Sequence, residues 1–259
     1  MLKKTLDTPI LPSSKATVAV SCKAVKTIKR LKALGIETFE ITENPKLDKP
    51  VSTHADCNFL QLDKNTFICD ESISVKFSEY LNKNIVNYLT IGEENIKIIT
   101  EKISSPYPGE ARINVKVIDN AIICNTEHIS EKIHVFSSFN NTNLYHCNQG
   151  YVGCSSVLVN RNSVITDDSS VYNTFNRIGF DCLMLSKGQI KLDGYNYGFI
   201  GGCCGFIDKN LIAFNGKLSE HKDCDLIKAF LKKNNVDYIE LVDGPLTDIG
   251  GILPFLEEC

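Results

Sequence analysis

The sequence predicts an α/β fold in which five ββαβ units close into a ring, a five-fold pseudosymmetric α/β propeller. Three observations predict it: a hairpin pattern recurs four times, a helical pattern and a further strand follow the hairpins, and the two ends of the chain carry the parts of a fifth unit. A ring closed by strands from both ends leaves no sheet edge exposed. The alternative is an open α/β sandwich with the same elements.

Four hairpins carry the repeat. Each consists of an apolar strand, a polar turn that contains Asp or Asn, and a second apolar strand. The first runs from residue 58 to 62, turns at residues 63–65 and continues to residue 69. The other three hairpins occupy residues 114–124, 155–166 and 203–214. Because Asp and Asn tolerate the left-handed backbone of tight turns, their positions predict where each pair of strands reverses.

Helical patterns and single strands follow the hairpins. Ser72 opens one helix, Asp168 or Ser169 opens another that Gly179 ends, and Ser219 opens the longest. The weakest helical pattern covers residues 126–133. The strands expected after the helices are residues 85–91, 144–147, 180–185 and 236–242.

The two ends of the chain supply the fifth unit. Near the start, a strand at residues 17–21, a helix through residues 25–34 and a strand at residues 37–41 lack a first hairpin strand. The chain ends with an apolar strand at residues 252–256 that has no helix of its own. Pairing these terminal elements predicts a single domain that covers residues 1–259.

Composition and charge exclude several functions. The 28 basic and 31 acidic residues give a net charge of −3, so there is no broad positive surface for nucleic acid or anionic lipid. No apolar run approaches the ~18 residues of a membrane helix, and no secretory signal is evident. Eleven cysteines, an odd number in a chain of this size, indicate reduced thiols. We therefore expect a cytoplasmic protein that binds a small molecule, without a nucleic-acid or membrane partner.

Reactive side chains are concentrated just before the first strand of each hairpin and before the last strand. In a ring these segments converge on the centre, so we expect them to share one cavity. The segments are residues 54–57, 110–112, 153–156, 201–204 and 248–251. They combine a histidine, carboxylates, an arginine and several thiols with glycines that allow a ligand to approach the backbone.

Five ββαβ units with the fifth split between the termini resemble the pentein fold of guanidine-modifying enzymes. That superfamily includes arginine and agmatine deiminases, dimethylarginine hydrolases and amidinotransferases, and the chain most resembles its uncharacterised bacterial members. The resemblance covers nearly the whole chain. It implies a Cys-dependent hydrolase or transferase that acts on a guanidine or amidine compound. His54-Ala55-Asp56 has the His-x-Asp form that carries the catalytic histidine in pentein hydrolases.

Guanidine chemistry requires carboxylates that hold a planar cation, a thiolate that attacks its carbon, and a proton shuttle that titrates near neutrality. His54 is the only histidine in the converging segments. The assignment is therefore His54, Cys154, Cys203 and Cys204 as catalytic candidates, and Asp56, Asn58, Glu110, Arg112 and Asp248 as ligand-binding candidates. We expect no cofactor and no metal ion.

Two features depart from the family pattern. The resemblance implies a nucleophilic cysteine just before the last strand, where this chain has Ile249-Gly250-Gly251. It also implies a histidine about one unit before that cysteine, whereas His54 lies in the first full unit. Two alternatives therefore stay open: a binding protein without covalent chemistry on the same fold, and a metal site of His54, Asp56 and a facing thiol, although the spacing matches no standard zinc signature.

Overall fold

The computed structural model describes residues 2–85 and 96–259 and has a mixed α/β fold of small sheets and helices. The strands are β1 (Lys3–Thr5), β2 (Ala16–Ser21), β3 (Glu37–Ile41), β4 (Phe59–Gln61), β5 (Thr66–Asp70), β6 (Lys97–Glu101), β7 (Lys116–Ile118), β8 (Ala121–Cys124), β9 (Asn143–His146), β10 (Ser156–Asn160), β11 (Ser163–Thr166), β12 (Asp181–Met184), β13 (Cys204–Asp208), β14 (Leu211–Phe214), β15 (Asp237–Glu240) and β16 (Leu253–Glu258). The helices are α1 (Val25–Ala33), α2 (Ala55–Asn58), α3 (Glu71–Asn84), α4 (Glu131–Asn140), α5 (Val152–Ser155), α6 (Ser169–Arg177) and α7 (Cys224–Lys233). Three short 3-10 turns are Gly109–Ala111, Gly201–Cys203 and Leu218–Glu220.

Within the described ranges the strands form five small sheets, which we name A to E. Sheet A has the order β1-β16-β2-β3, and sheets B, C, D and E are β4-β5-β6, β7-β8-β9, β10-β11-β12 and β13-β14-β15. In sheets B to E the first two strands form an antiparallel hairpin, and the third strand is parallel to the second. A parallel pair needs a crossover connection, which the helices provide in sheets C, D and E. The four predicted hairpins are confirmed.

Strands from the two ends of the chain meet in sheet A. The antiparallel pairing of β16 with β2 places Leu253 opposite Ala19, and β2 is parallel to β3. The predicted pairing of the terminal strands is therefore confirmed. The sequence did not predict β1, which pairs with the other edge of β16 and places Thr5 opposite Leu256.

Two helices begin later than their sequence patterns indicated. The Ser130 hydroxyl accepts a hydrogen bond from the Lys132 N–H (3.2 Å), so α4 starts after the predicted residues 126–130. Ser219 lies in a 3-10 turn rather than at a helix start, and α7 begins at Cys224. Residues 86–91 of the strand predicted at 85–91 lie outside the described residues, and the strand that pairs with β5 is β6.

Hydrophobic clusters lie between pairs of sheets. Five clusters join sheets A and B, B and C, C and D, D and E, and E and A. Alternation along a strand allows each sheet to contribute to two clusters. In β10, for example, Val157 and Val159 belong to the cluster shared with sheet E, whereas Leu158 belongs to the cluster shared with sheet C. Among the residues that the structure describes, no helix combines the length and apolarity needed to cross a membrane.

Candidate functional site

The segments that precede the first strand of each hairpin meet the segment that precedes β16. Four of them form a single helical or 3-10 turn, at α2, Gly109–Ala111, α5 and Gly201–Cys203. Hydrogen bonds join neighbouring segments: Asp56 N–H to Gly250 O (3.0 Å), Asn114 Nδ2 to Asp56 O (3.1 Å), Cys154 N–H to Asn114 Oδ1 (3.0 Å), Ile249 N–H to Gly202 O (2.9 Å) and Gly251 N–H to Gly202 O (2.8 Å). These bonds bring together residues that are far apart in sequence.

A cavity of about 290 Å³ lies at this meeting point. Its wall consists of Val51, His54, Cys57, Tyr151, Cys154, Leu192, Tyr195, Asn196, Tyr197, Phe199 and Asp248. The rings of Tyr151 and Phe199 are neighbours, with centroids 6.0 Å apart. A cavity of this size, mostly apolar with a few polar groups at one end, is suited to a small organic ligand.

A buried histidine–carboxylate pair forms part of the cavity wall. His54 Nδ1 lies 3.7 Å from Asp248 Oδ1, and both side chains are almost completely buried. The backbone N–H groups of Phe199 and Gly250 each donate a hydrogen bond of 2.9 Å to the Asp248 carboxylate. These bonds hold the carboxylate in place beside the imidazole, so the pair is positioned before any ligand arrives.

The carboxylate of Asp56 is buried behind this pair. Neither of its oxygens has a hydrogen-bond partner among the described residues. The pKa of Asp56 is raised to about 6, chiefly by burial; the charge of His54 lowers the pKa and the charge of Asp248 raises it. The thiols of Cys57 and Cys154, which are weak donors, lie beside it. Asp56 is therefore a buried acceptor that no strong donor in the described chain satisfies.

Two thiols, Cys57 and Cys154, line the cavity. Burial raises the pKa of each well above its usual value, so both are protonated at neutral pH. The Cys154 thiol also donates to Asn114 Oδ1 at 3.3 Å. Cys154 was a predicted site residue, and Cys57 was missed although it directly follows His54-Ala55-Asp56.

The other two predicted thiols lie elsewhere. Cys203 and Cys204 donate to the carbonyl of Ile200, at 3.1 and 3.3 Å, and both pack in the cluster between sheets D and E. Neither lines the cavity. Adjacent residues at the start of a strand are placed by the packing of that strand, and here both side chains contribute to the core.

Three predicted ligand-binding residues contact protein groups instead of the cavity. Asn58 donates to the His54 carbonyl at 2.8 Å and so closes the turn of α2. Glu110 accepts a hydrogen bond of 2.8 Å from the hydroxyl of Tyr151, which is a wall residue. Arg112 lies 3.9 Å from Glu101 and is not part of the cavity wall. Glu110 therefore contacts the cavity wall only through Tyr151, whereas Arg112 pairs with Glu101 outside the wall.

A buried lysine, Lys116, lies close to Asp56 in a small cleft that is separate from the cavity. Lys116 Nζ donates to the Gly153 carbonyl at 2.7 Å, and it lines a small cleft with Asp56 and Cys204. Burial lowers the pKa of Lys116 to about 8. Sequence reasoning placed Lys116 on a strand and assigned it no role, because nothing in its local pattern indicates that its ammonium group is buried.

Comparisons with known proteins agree with this architecture. Residues 19–253 match the model of a family of unknown function, DUF6873, and no curated protein matches the chain. An amidinotransferase of the saxitoxin biosynthetic pathway from Microseira wollei is similar in structure, with a TM-score of 0.56, 11% identity and 91% of both chains covered. Inosamine-phosphate amidinotransferase from Streptomyces griseus is similar with a TM-score of 0.54 and 10% sequence identity, and the match covers 98% of this chain and 96% of that chain. Agmatine deiminase from C. jejuni is similar with a TM-score of 0.51 and 9% sequence identity, and the match covers 93% of this chain and 90% of that chain. The expected pentein fold is thereby confirmed.

Proposed function

The chain belongs to DUF6873, a family of unknown function, and has the pentein fold, so we propose its function from the chemistry of the cavity. We propose that it binds a small guanidine or amidine cation in the cavity and uses Cys154 as a nucleophile. The neighbours of known structure include enzymes that modify guanidine groups, which supports the ligand class. The buried, unpartnered carboxylate of Asp56 is the observation that carries the proposal.

In this proposal the five sheets form the blades of one closed propeller domain. Two observations support the ring. Each hydrophobic cluster joins two sheets in the cyclic order A, B, C, D, E and back to A. Sheet A itself joins strands from the two ends of the chain. The cavity would then lie at one end of the central axis, where the five segments are linked by hydrogen bonds.

The charges and rings of the cavity favour a cationic ligand. Asp248 is part of the wall, and Asp56 lies directly behind the wall residues Cys57 and Cys154. Carboxylates bind guanidinium through pairs of charge-assisted hydrogen bonds, and a planar cation stacks on aromatic faces such as Tyr151 and Phe199. The described part of the wall contains no lysine or arginine that would repel such a ligand.

Cys154 is the proposed nucleophile because it is the only one of the three predicted thiols on the wall. Its raised pKa keeps it protonated in the free protein, but a bound guanidinium ion would stabilise the thiolate and lower that pKa. His54, oriented by Asp248, would accept the Cys154 proton as the thiolate attacks the guanidine carbon, and would give that proton to the departing amine as its C–N bond breaks. Water or a second amine would then displace the sulfur while His54 accepts its proton, which gives a hydrolase or an amidinotransferase.

A binding protein without covalent chemistry is the second candidate, and Gly250 favours it. Gly250 lies just before β16, where the resembling enzymes carry their nucleophile. Its φ of +78° and a Cβ that would come within 3.0 Å of His54 leave no room for a side chain there. A chain that functions by binding alone needs no thiol at this position.

Alkylation by 2-chloroacetamidine distinguishes the two candidates. After EDTA treatment, we expect peptide mass spectrometry to find Cys154 modified faster than the exposed Cys259, with Cys204→Ser unchanged and His54→Ala slowed. A faster reaction at Cys57 would transfer the nucleophilic role to that residue. Uniform slow labelling, combined with guanidinium-dependent thermal stabilisation that Asp56→Asn removes, would favour the binding protein. If the protein shows neither labelling of a cavity thiol nor guanidinium-dependent stabilisation, the proposal is overturned.

A further inference from the structure

A set of potential metal ligands lies at the end of the cavity. One ring nitrogen of His54, one carboxylate oxygen of Asp56 and the Sγ of Cys57 all lie within 4.8 Å of one another, and all three residues are buried. Tetrahedral zinc with bonds of about 2.0–2.3 Å has ligand atoms about 3.3–3.8 Å apart. Side-chain shifts of about an ångström would therefore bring the three atoms onto one ion. We propose that His54, Asp56 and Cys57 bind Zn²⁺ or a similar divalent transition-metal ion.

The unsatisfied carboxylate is an independent reason to place a cation here. Asp56 is 6% exposed, and both oxygens lack a hydrogen-bond partner among the described residues. Buried polar groups are nearly always satisfied by protein, water or an ion. With a carboxylate, a thiolate and a neutral imidazole as ligands, the charge of a divalent ion is balanced within the cluster. Imidazole, thiolate and carboxylate are the donors that zinc prefers in proteins.

The residues around the cluster are arranged to support a metal. Metal-binding imidazoles usually interact with a carboxylate through their other nitrogen, and Asp248 lies 3.7 Å from His54 Nδ1. Asn58 fixes the backbone of the same turn through its hydrogen bond to the His54 carbonyl. Because His54 and Cys57 both line the cavity, a fourth coordination position would face a ligand or water. Three protein ligands and one open position are typical of catalytic zinc sites.

This inference does not depend on guanidine binding. A metal ion and a guanidinium ion are both cations that would interact with Asp56, so they would compete for the end of the cavity. A metal ion binds cysteine as the thiolate, so coordination by Cys57 would displace the proton of its thiol. Proton release on metal addition is therefore an expected accompaniment.

Cobalt(II) chloride added to the full-length, EDTA-stripped protein tests the site, because a cobalt–thiolate bond produces a charge-transfer band in the near ultraviolet. We expect a band that saturates at one cobalt per chain, that Zn²⁺ bleaches, and that is accompanied by proton release in weakly buffered solution. Cys57→Ser should lose the band, whereas Cys204→Ser, a matched change in the core, should keep it. Asp248→Asn should weaken cobalt binding by about 10–100-fold.

Two results would overturn the site: no band in the unmodified protein, or a band of equal intensity in Cys57→Ser. Asp56→Asn, which preserves side-chain shape, serves as the second variant. Its far-ultraviolet circular dichroism spectrum should match that of the unmodified protein, and it should bind cobalt at least tenfold more weakly. An unchanged cobalt affinity in this variant would contradict the assignment of Asp56 as a ligand. Guanidine binding by the EDTA-treated protein is measured separately, so failure of one proposal leaves the other standing.

Discussion

The buried carboxylate of Asp56 makes a quantitative prediction about stability and pH. Burial raises its pKa from 3.8 to about 6 in the folded chain. The folded state therefore holds this proton more tightly than the unfolded state. The resulting stabilisation is complete below pH 3.8 and is lost as pH rises through about 6. The shift corresponds to about 3 kcal/mol in total, of which on the order of 1 kcal/mol is lost between pH 5 and pH 8.

Urea unfolding of the wild type and Asp56→Asn, in EDTA at pH values from 5 to 8, measures this contribution. We expect the wild type to lose on the order of 1 kcal/mol of unfolding free energy relative to the variant across that range. Asp193→Asn is the matched control, because the side chain of Asp193 is 82% exposed, and its difference curve should be flat. A flat curve for Asp56→Asn, or one that slopes the other way, would refute the conclusion that this carboxylate is desolvated and unpartnered.

Three further changes test other parts of the structure. Burial lowers the pKa of Lys116 from 10.5 to about 8, so the fold should gain on the order of 1 kcal/mol of unfolding free energy between pH 7 and pH 9, and Lys116→Met should abolish that gain in urea unfolding. Gly250→Ala should cost about 2–5 kcal/mol in thermal or urea unfolding, because it adds left-handed strain and a collision with His54. Phe255→Ala should cost about 3–5 kcal/mol, because its ring packs at 5.5 Å from that of Phe59 across sheets A and B.

Each of these changes has a matched control. Lys64→Met alters an exposed lysine and should leave the pH dependence between pH 7 and pH 9 unchanged. Gly179→Ala adds a side chain at a φ of +91° with no atom within 4 Å, so it should cost only about 1–2 kcal/mol. Phe139→Ala removes a ring that is 86% exposed and should be nearly neutral. If a test variant and its control changed the free energy of unfolding, or its pH dependence, by the same amount, the role assigned to the buried residue would be contradicted.

Local signals explain why the repeat was predictable from sequence. A hairpin turn depends on a few adjacent residues, such as Asp63, whose carboxylate accepts the N–H of Asn65 at 2.8 Å. Helix starts were less predictable where several polar residues compete as caps. The start of α4 is set by Ser130, and nothing in the local pattern separates Ser130 from Thr126, where the prediction began. The terminal pairing followed from an incomplete unit at each end.

The site was predictable only in part. Comparing positions by their distance from a turn grouped His54, Cys154 and Asp248, and these three side chains line one cavity. It did not separate Cys154 from Cys203, because which thiol reaches the cavity depends on packing between sheets D and E. Aromatic wall residues such as Phe199 come from an irregular segment with no periodic pattern. The metal site of His54, Asp56 and a facing thiol stayed only an alternative because its spacing matches no standard signature, yet a single turn of helix brings the donors of His54, Asp56 and Cys57 together.

The position of β16 between β1 and β2 also affects how the protein is made. The N-terminal strands leave the ribosome early, but their pairing partner follows more than 230 residues later, roughly 10 to 50 seconds at ordinary translation rates. During that interval β2, with its apolar run Val18-Ala19-Val20, lacks the antiparallel neighbour that later protects it from other nascent chains. Asp248 emerges just before β16. Newly made molecules therefore acquire the complete cavity wall only after this late segment has left the ribosome.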